Sequence, residues 1–265
     1  MNDTAATGQN NFATELARLA AAQKGGIARY TLSDGLVVWI RKAGRRNAAW
    51  RYALLGMVTK PLRLGVLKPV PNLGGEKAVA TEAHRLRELK AAGVKVPELL
   101  AQQPDALMIG NLGGIQLDTQ IEQEAKGRHL TAWTAGMDAI ADVHAKGQFL
   151  SQAFARNMMI AGGTVGFLDF EDDPAEVLTL AECQSRDWLC YLHSTSLLLK
   201  RHGLLEEAAA LWHDKLLAQP EEVRRLVLQT EKPVAWMHCL SHSRWGRDVL
   251  RLAALAALFA LADLD

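Results

Sequence analysis

Residues 144–172 read HAKGQFLSQAFARNMMIAGGTVGFLDFED, and the fold of the whole chain is read outward from this stretch. His144-Ala145-Lys146-Gly147 ends a helical segment in a turn. Asn157 follows on a loop. Two apolar runs come next, Met158-Met159-Ile160 and Val165-Gly166-Phe167-Leu168, joined by Ala161-Gly162-Gly163-Thr164. β-prone runs around a Gly-Gly pair predict a hairpin. Asn157 stands just before its first strand and Asp169 just after its second, so antiparallel pairing brings both to one end, about one strand spacing apart. A side-chain amide beside a carboxylate suits a hard cation such as Mg²⁺, which takes one or two protein oxygens and fills its shell with phosphate oxygens and water. Phosphoryl transfer needs that kind of site: phosphates positioned, their charge neutralised, and an acceptor hydroxyl aligned.

Upstream, the chain alternates strand and helix. Residues 11–23 have helical spacing and end at Gly25-Gly26. Residues 28–32 and 36–40 flank the turn Ser33-Asp34-Gly35 and read as a hairpin whose second strand delivers Arg41 and Lys42 at its end. Residues 46–58 read as an amphipathic helix. A further helix is expected from about Glu76 to Ala92, with Ala80, Ala83, Leu86 and Leu89 on one side and charges opposite. Ala106-Leu107-Met108-Ile109 is a short apolar strand, and Gly110-Asn111-Leu112-Gly113-Gly114 after it has the chemistry of a hinge. From about residue 115 the pattern is mostly helical, the 158–168 hairpin excepted. The fold class is therefore α+β, with a small mixed half (1–108), a hinge (109–114) and a helical half (115–265).

Composition narrows the function. The 265 residues suffice for two lobes with their own cores. Lys+Arg 30 nearly cancels Asp+Glu 29, which argues against a dedicated nucleic-acid binder. The first residues lack the basic-then-apolar pattern of a secretory signal. Cys183, Cys190 and Cys239 are odd in number, have no metal-ligand spacing, and fit free thiols of a cytoplasmic protein. The apolar run from Val249 to Ala262 is shorter than the ~20 residues of a membrane span. It reads as a packed terminal helix, with peripheral contact at the inner membrane face as the alternative.

The order of these parts resembles the protein-kinase-like fold, two-lobed, and among its members the bacterial lipopolysaccharide-core sugar kinases and the aminoglycoside phosphotransferases. The resemblance covers about residues 28–200 and rests on the His-x-x-Gly turn, the loop ending in Asn157, and the Asp-Phe at Asp169. It implies ATP and Mg²⁺ as cofactors, with Asn157 and Asp169 as the metal ligands. It matches Glu82 to the helix glutamate that pairs with a phosphate-binding lysine, Met108–Gly114 to the hinge that holds adenine (Ile109 and Asn111 among its residues), and Asp187 to the buried aspartate that braces the catalytic loop. His144 is then structural, packing behind that loop. Two places compete for the lysine. The strand-end pair Arg41 and Lys42 copies the layout of the lipopolysaccharide-type kinases, with Lys42 preferred; Lys68, at a usual separation before Glu82, is the alternative.

Two departures from the family pattern bear on catalysis. The catalytic aspartate position falls at Gln152, which can orient a hydroxyl but cannot take its proton at neutral pH. The glycine of Asp-Phe-Gly is replaced by Glu171, readable as an extra metal ligand or a substitute base. Asp172-Asp173-Pro174 reads as an N-cap and first turn, chiefly through Asp173, of a helix over Ala175–Leu192. The short segment between Asp169 and Asp187 leaves little room to dock a peptide. The reading is thus an atypical phosphotransferase acting on a small, sugar or lipid-linked saccharide acceptor. The alternative is a nucleotide-binding or non-catalytic pseudokinase serving as scaffold or sensor.

Overall fold

The computed structural model describes residues 3–44, 74–240 and 246–262, with side chains from residue 11 onward. The helix expected over 46–58 and the candidate Lys68 lie outside the described residues.

An antiparallel four-stranded sheet is built from β1 (Ile27–Thr31), β2 (Val37–Lys42), β3 (Leu99–Gln103) and β4 (Ala106–Gly110), in the order β1-β2-β4-β3. The Ser-Asp-Gly turn makes the first hairpin as expected, with Ile27 opposite Arg41 and Thr31 opposite Val37. The outer face of the sheet is covered by α1 (Asp3–Ala22), whose Leu16, Leu19 and Ala20 pack on Val38, Ile40, Ala106 and Met108. Alternation along the strands turns Leu107 and Ile109 to the inner face. There they join Val79, Ala83, Leu86 and Leu89 of α2 (Gly75–Ala91) in the main core. Those four recur at helical spacing, and each large aliphatic chain so buried contributes about 1.5–3 kcal/mol.

The main core continues without interruption into the helical part. A second, three-stranded antiparallel sheet opens that part, in the order β5-β6-β7: β5 (Ile115–Gln116), β6 (Met158–Ala161) and β7 (Thr164–Phe167). The expected hairpin is β6-β7. β5 was not foreseen, since a two-residue exposed strand leaves no periodicity to read. Helices α3 (Leu117–Lys126), α4 (Thr131–Ala145), α5 (Leu180–Arg201), α6 (Leu205–Leu217), α7 (Glu221–Val234) and α8 (Arg247–Ala262) follow. Trp133, Trp188, Tyr191 and Trp212 are fully buried among them. The C-terminal apolar run is α8, with Leu258 and Phe259 in the core. Among the described residues, no helix is long and apolar enough to cross a membrane.

The helix expected over Ala175–Leu192 starts later. Asp173 accepts from the Ala175 N–H at 3.0 Å, but it caps only a single 3-10 turn, Pro174–Glu176. The helix itself begins at Leu180, because Thr179 and Glu182 form a reciprocal capping box. Burial pushes the Cys183 and Cys190 thiols up to about 12, so both are inert core residues.

Candidate active site

A cleft of about 830 Å³ opens between the inner face of the four-stranded sheet and the β6-β7 hairpin. One end is apolar, lined by Trp39, Leu86, Pro97, Ile109, Leu112 and Met159. The other end carries Arg41, Glu82, Asn157, Asp169 and Glu171. The segment 111–114 joins β4 of one sheet to β5 of the other and borders the apolar end. Asn111, expected near a nucleotide base, has its side-chain carbonyl occupied by the Trp39 indole N–H at 3.0 Å. The Gly110 N–H donates to the Glu98 carbonyl.

Strand periodicity decides which cation enters the cleft. Trp39 and Arg41 share the inner face of β2, while Lys42 shares the outer face with Val38 and Ile40. The Lys42 ammonium donates to the carbonyls of Ala20 and Gln23, at 2.8 and 3.1 Å, and so ties down the C-terminal end of α1. The preferred Lys42 thus borders the cleft but spends its ammonium on α1, and Arg41 is the strand-end cation that meets Glu82. Arg41 bridges three carboxylates: Nη1 to Glu82 Oε1 at 2.9 Å, and Nη2 to Asp169 Oδ1 at 2.7 Å and to Glu171 Oε2 at 2.8 Å. Glu82, from α2, meets a strand-end cation as expected, but the cation is an arginine.

The electrostatics of this cluster are lopsided. Burial raises the Glu82 carboxyl to about 7; Arg41 opposes that rise, while Asp169 and Glu171 add to it. Burial alone would lower the Arg41 pKa, and the fields of Glu82, Asp169 and Glu171 more than reverse it, so the guanidinium is permanently charged. One fully engaged cation thus serves three carboxylates.

Asn157 and Asp169 come together as the hairpin requires. Asn157 Nδ2 lies 3.2 Å from Asp169 Oδ2 and also donates to the Gln152 carbonyl at 3.3 Å. The Leu168 N–H donates to the Asn157 carbonyl, closing the hairpin end. Asp169 sits at φ 72° and Ser151 at φ 71°, two of the three non-glycine residues with positive φ among the described residues. Backbone held in such sparsely populated conformations gathers at functional sites. Among the described residues no cluster of three or more His, Cys, Asp or Glu side chains could hold a metal. Both Asp169 oxygens are engaged, Oδ1 by Arg41 and Oδ2 by the Asn157 amide nitrogen, so a cation held here would displace these contacts and bring further ligands with it.

The loop before Gln152 is braced from two helices. Asp187 on α5 is fully buried and accepts from the Leu150 N–H at 2.8 Å; His144 Nε2 lies 3.1 Å from the same oxygen. Because a carboxylate only accepts, His144 carries its proton on Nε2 and donates. The expected structural roles of both residues are met by these contacts. Arg85 on α2, which the sequence reading passed over, is almost wholly buried, stacks on the Phe149 ring at 3.9 Å and donates to the Phe149 carbonyl at 2.7 Å. A buried arginine on a charge-rich helix carries no sequence mark of its own.

Gln152 finds a partner that was assigned only to helix capping. Its Nε2 donates to Asp172 Oδ2 at 2.6 Å. Asp172 is half-buried, and its Oδ1 is buried without a hydrogen bond among the described residues. Burial, with Glu171 and Asp169 adding to it against Gln152 and Arg186, pushes the Asp172 carboxyl up to about 6. Glu171, the expected substitute base, is instead drawn into the ion pair with Arg41. Compared with protein-family models and with curated proteins, the chain matches none.

Proposed function

We propose that this chain is an atypical, protein-kinase-like phosphotransferase that binds ATP with Mg²⁺ and acts on a small, sugar or lipid-linked saccharide acceptor. The observation that carries the proposal is the convergence of two independent pairs at one end of one cleft: Arg41 with Glu82, and Asn157 with Asp169. The cleft's other end is apolar, and the cleft as a whole, at about 830 Å³, has room for a nucleotide. Arg41 would hold the phosphates with Glu82 fixing its guanidinium, and a fork of N–H donors suits phosphate oxygens. Asn157 and Asp169 would hold the cation, which neutralises charge on the transferred group when bound. The carboxylate excess around Arg41 favours binding of a cation with the nucleotide, because an anion alone would meet Asp169 and Glu171.

The segment after Asp169 also supports a small acceptor. Between Phe170 and Thr179 it holds one 3-10 turn and runs straight into α5, with no extended platform for a polypeptide. An acceptor presented at a membrane surface is compatible with this geometry.

The rival reading is a pseudokinase that binds nucleotide or a partner without transfer. Gln152 at the base position and Arg41 clamped on the cation-binding carboxylate favour it. Thermal unfolding with ATP, Mg²⁺ and both together tests the shared part. Stabilisation grows as RT ln(1 + [L]/Kd), about 2.7 kcal/mol at a hundredfold excess over Kd. The proposal expects stabilisation by ATP only with Mg²⁺, and phosphate transfer to at least one member of a sugar and lipid-linked saccharide panel. Stabilisation without any transfer favours the nucleotide-binding pseudokinase; no stabilisation at millimolar ATP rejects the phosphotransferase and leaves only a non-catalytic scaffold.

A further inference from the structure

Gln152 leaves the acceptor's proton without a destination, and the residue beneath its amide supplies one. Resting on the phosphotransfer reading above, we propose that Asp172, presented by Gln152, takes the proton from the acceptor hydroxyl. Three observations carry this. The Gln152 amide donates to Asp172 Oδ2 at 2.6 Å, so the side chain at the base position is tied to this carboxylate. The second oxygen, Oδ1, is buried and accepts no hydrogen bond among the described residues, an unusual state for a carboxylate that had only a structural role. Helix capping does not explain Asp172, because Asp173 makes the capping bond to Ala175.

Asp172 is also wired to the cation ligands. Asn157 Nδ2 reaches both the Gln152 carbonyl and Asp169 Oδ2, so one side chain sets the spacing between the base and the phosphate end of the cleft. Burial first, then Glu171 and Asp169, raise the proton affinity of Asp172, and the Gln152 hydrogen bond and Arg186 on α5 oppose them. The resulting value of about 6 leaves most of the group ionised at neutral pH yet basic enough to accept a proton. In the step itself the acceptor oxygen bonds to the γ-phosphorus and the bond from that phosphorus to the β-γ bridging oxygen breaks. ADP leaves with that electron pair, and the hydroxyl proton passes to the Asp172 carboxylate and then to solvent.

The test uses water as the acceptor and the full chain. Phosphate release from ATP with Mg²⁺ is measured against pH for the natural protein, Asp172→Asn, and Gln152→Asp combined with Asp172→Asn, alongside calorimetric ATP–Mg²⁺ binding and a carbon-detected titration of the aspartate carboxyls. Asp172→Asn is expected to lower turnover by about 100-fold or more, within the usual range for a general base, with nucleotide affinity kept within about twofold. The acidic limb of the pH profile, near the value of about 6, should vanish with it, and so should one carboxyl titrating there. The exchanged pair, which restores a carboxylate–amide couple in the opposite order, should recover at least about tenfold of the loss. Retained turnover in Asp172→Asn, or an Asp172 carboxyl titrating at the ordinary value near ~4, overturns the proposal. A natural protein that binds ATP–Mg²⁺ but releases no phosphate overturns it too, while leaving nucleotide binding intact. Failure to bind nucleotide at all instead removes the function on which it rests.

Discussion

Arg41→Met removes the cation that Glu82, Asp169 and Glu171 share among the described residues, and the size of its effect follows from how buried each partner is. The Glu82 side chain is 3% exposed, against 26% for Asp169 and 34% for Glu171. The two more exposed pairs are screened and contribute about 0–1 kcal/mol each. Glu82 dominates: leaving a buried charge unpaired costs about 3–5 kcal/mol. Glu82 can escape that cost by protonating, since burial already holds its carboxyl at about 7 with Arg41 in place, and losing Arg41 raises it further. Each pH unit below that raised value spares about 1.4 kcal/mol. Because Glu82 sits at about 7 in the natural protein, protonation caps the pH-dependent part of the loss at about 1.4 kcal/mol, so the expected loss is about 2 kcal/mol at about pH 8 and less than ~1 kcal/mol at about pH 5.5. In thermal midpoint this is roughly 4–8 °C against ~2 °C for a chain of this size. Urea unfolding followed by circular dichroism at both pH values measures it. Adding Glu82→Gln to Arg41→Met removes the stranded charge and should recover most of the loss at about pH 8. A loss equal at both pH values, or no recovery in the double variant, would refute the assignment of Glu82 as the dominant partner.

Further outcomes follow from the other contacts. Lys42→Met should cost ~1 kcal/mol through the freed α1 carbonyls and leave nucleotide affinity within about twofold, whereas Arg41→Met should weaken it at least tenfold, both read by calorimetry. Asp187→Ala strips the Leu150 N–H and His144 of their buried acceptor and should destabilise by about 3 kcal/mol; hydrogen exchange should rise at Leu150 more than in α7. The Asp172 carboxyl is held above its unfolded value, so its favourable share of stability is complete below about 4 and is lost as pH rises through about 6. Asp172→Asn should match the natural protein near the lower pH and exceed it above the higher one by ~1 kcal/mol, the figure being reduced for partial solvent screening. Denaturant midpoints across that range test the sign.

The elements that carry hydrophobic period or turn chemistry were legible in the sequence. The Ser-Asp-Gly hairpin, the amphipathic α2, the β6-β7 hairpin with Asn157 and Asp169 at one end, and the packed α8 all follow from local pattern. What the sequence could not decide was orientation. Arg41 and Lys42 are adjacent cations, and only the pairing of β2 under α1 turns the first into the cleft and the second onto the Ala20 and Gln23 carbonyls. Period-2 alternation puts Lys42 on the face of Val38 and Ile40, but which face α1 covers is not written in that period. The helix after Asp-Asp-Pro was placed too early since Asp173-Pro174 is a sound start signal; the stronger Thr179–Glu182 capping box outcompetes it. Arg85 and Asp172 gain their roles from long-range contacts, to Phe149 and Gln152, that no local spacing encodes.

Asn157 and Asp169 are proposed to make this cleft a site for ATP with Mg²⁺. Isothermal calorimetry of the full chain with ATP, in Mg²⁺ and in chelator, compared with Asp169→Ala, tests it most directly. Saturable binding with Kd below about 1 mM is expected in Mg²⁺, with at least tenfold weaker binding in chelator and the same weakening in Asp169→Ala with or without Mg²⁺. No heat at millimolar ATP, or affinity indifferent to both Mg²⁺ and Asp169, would contradict it.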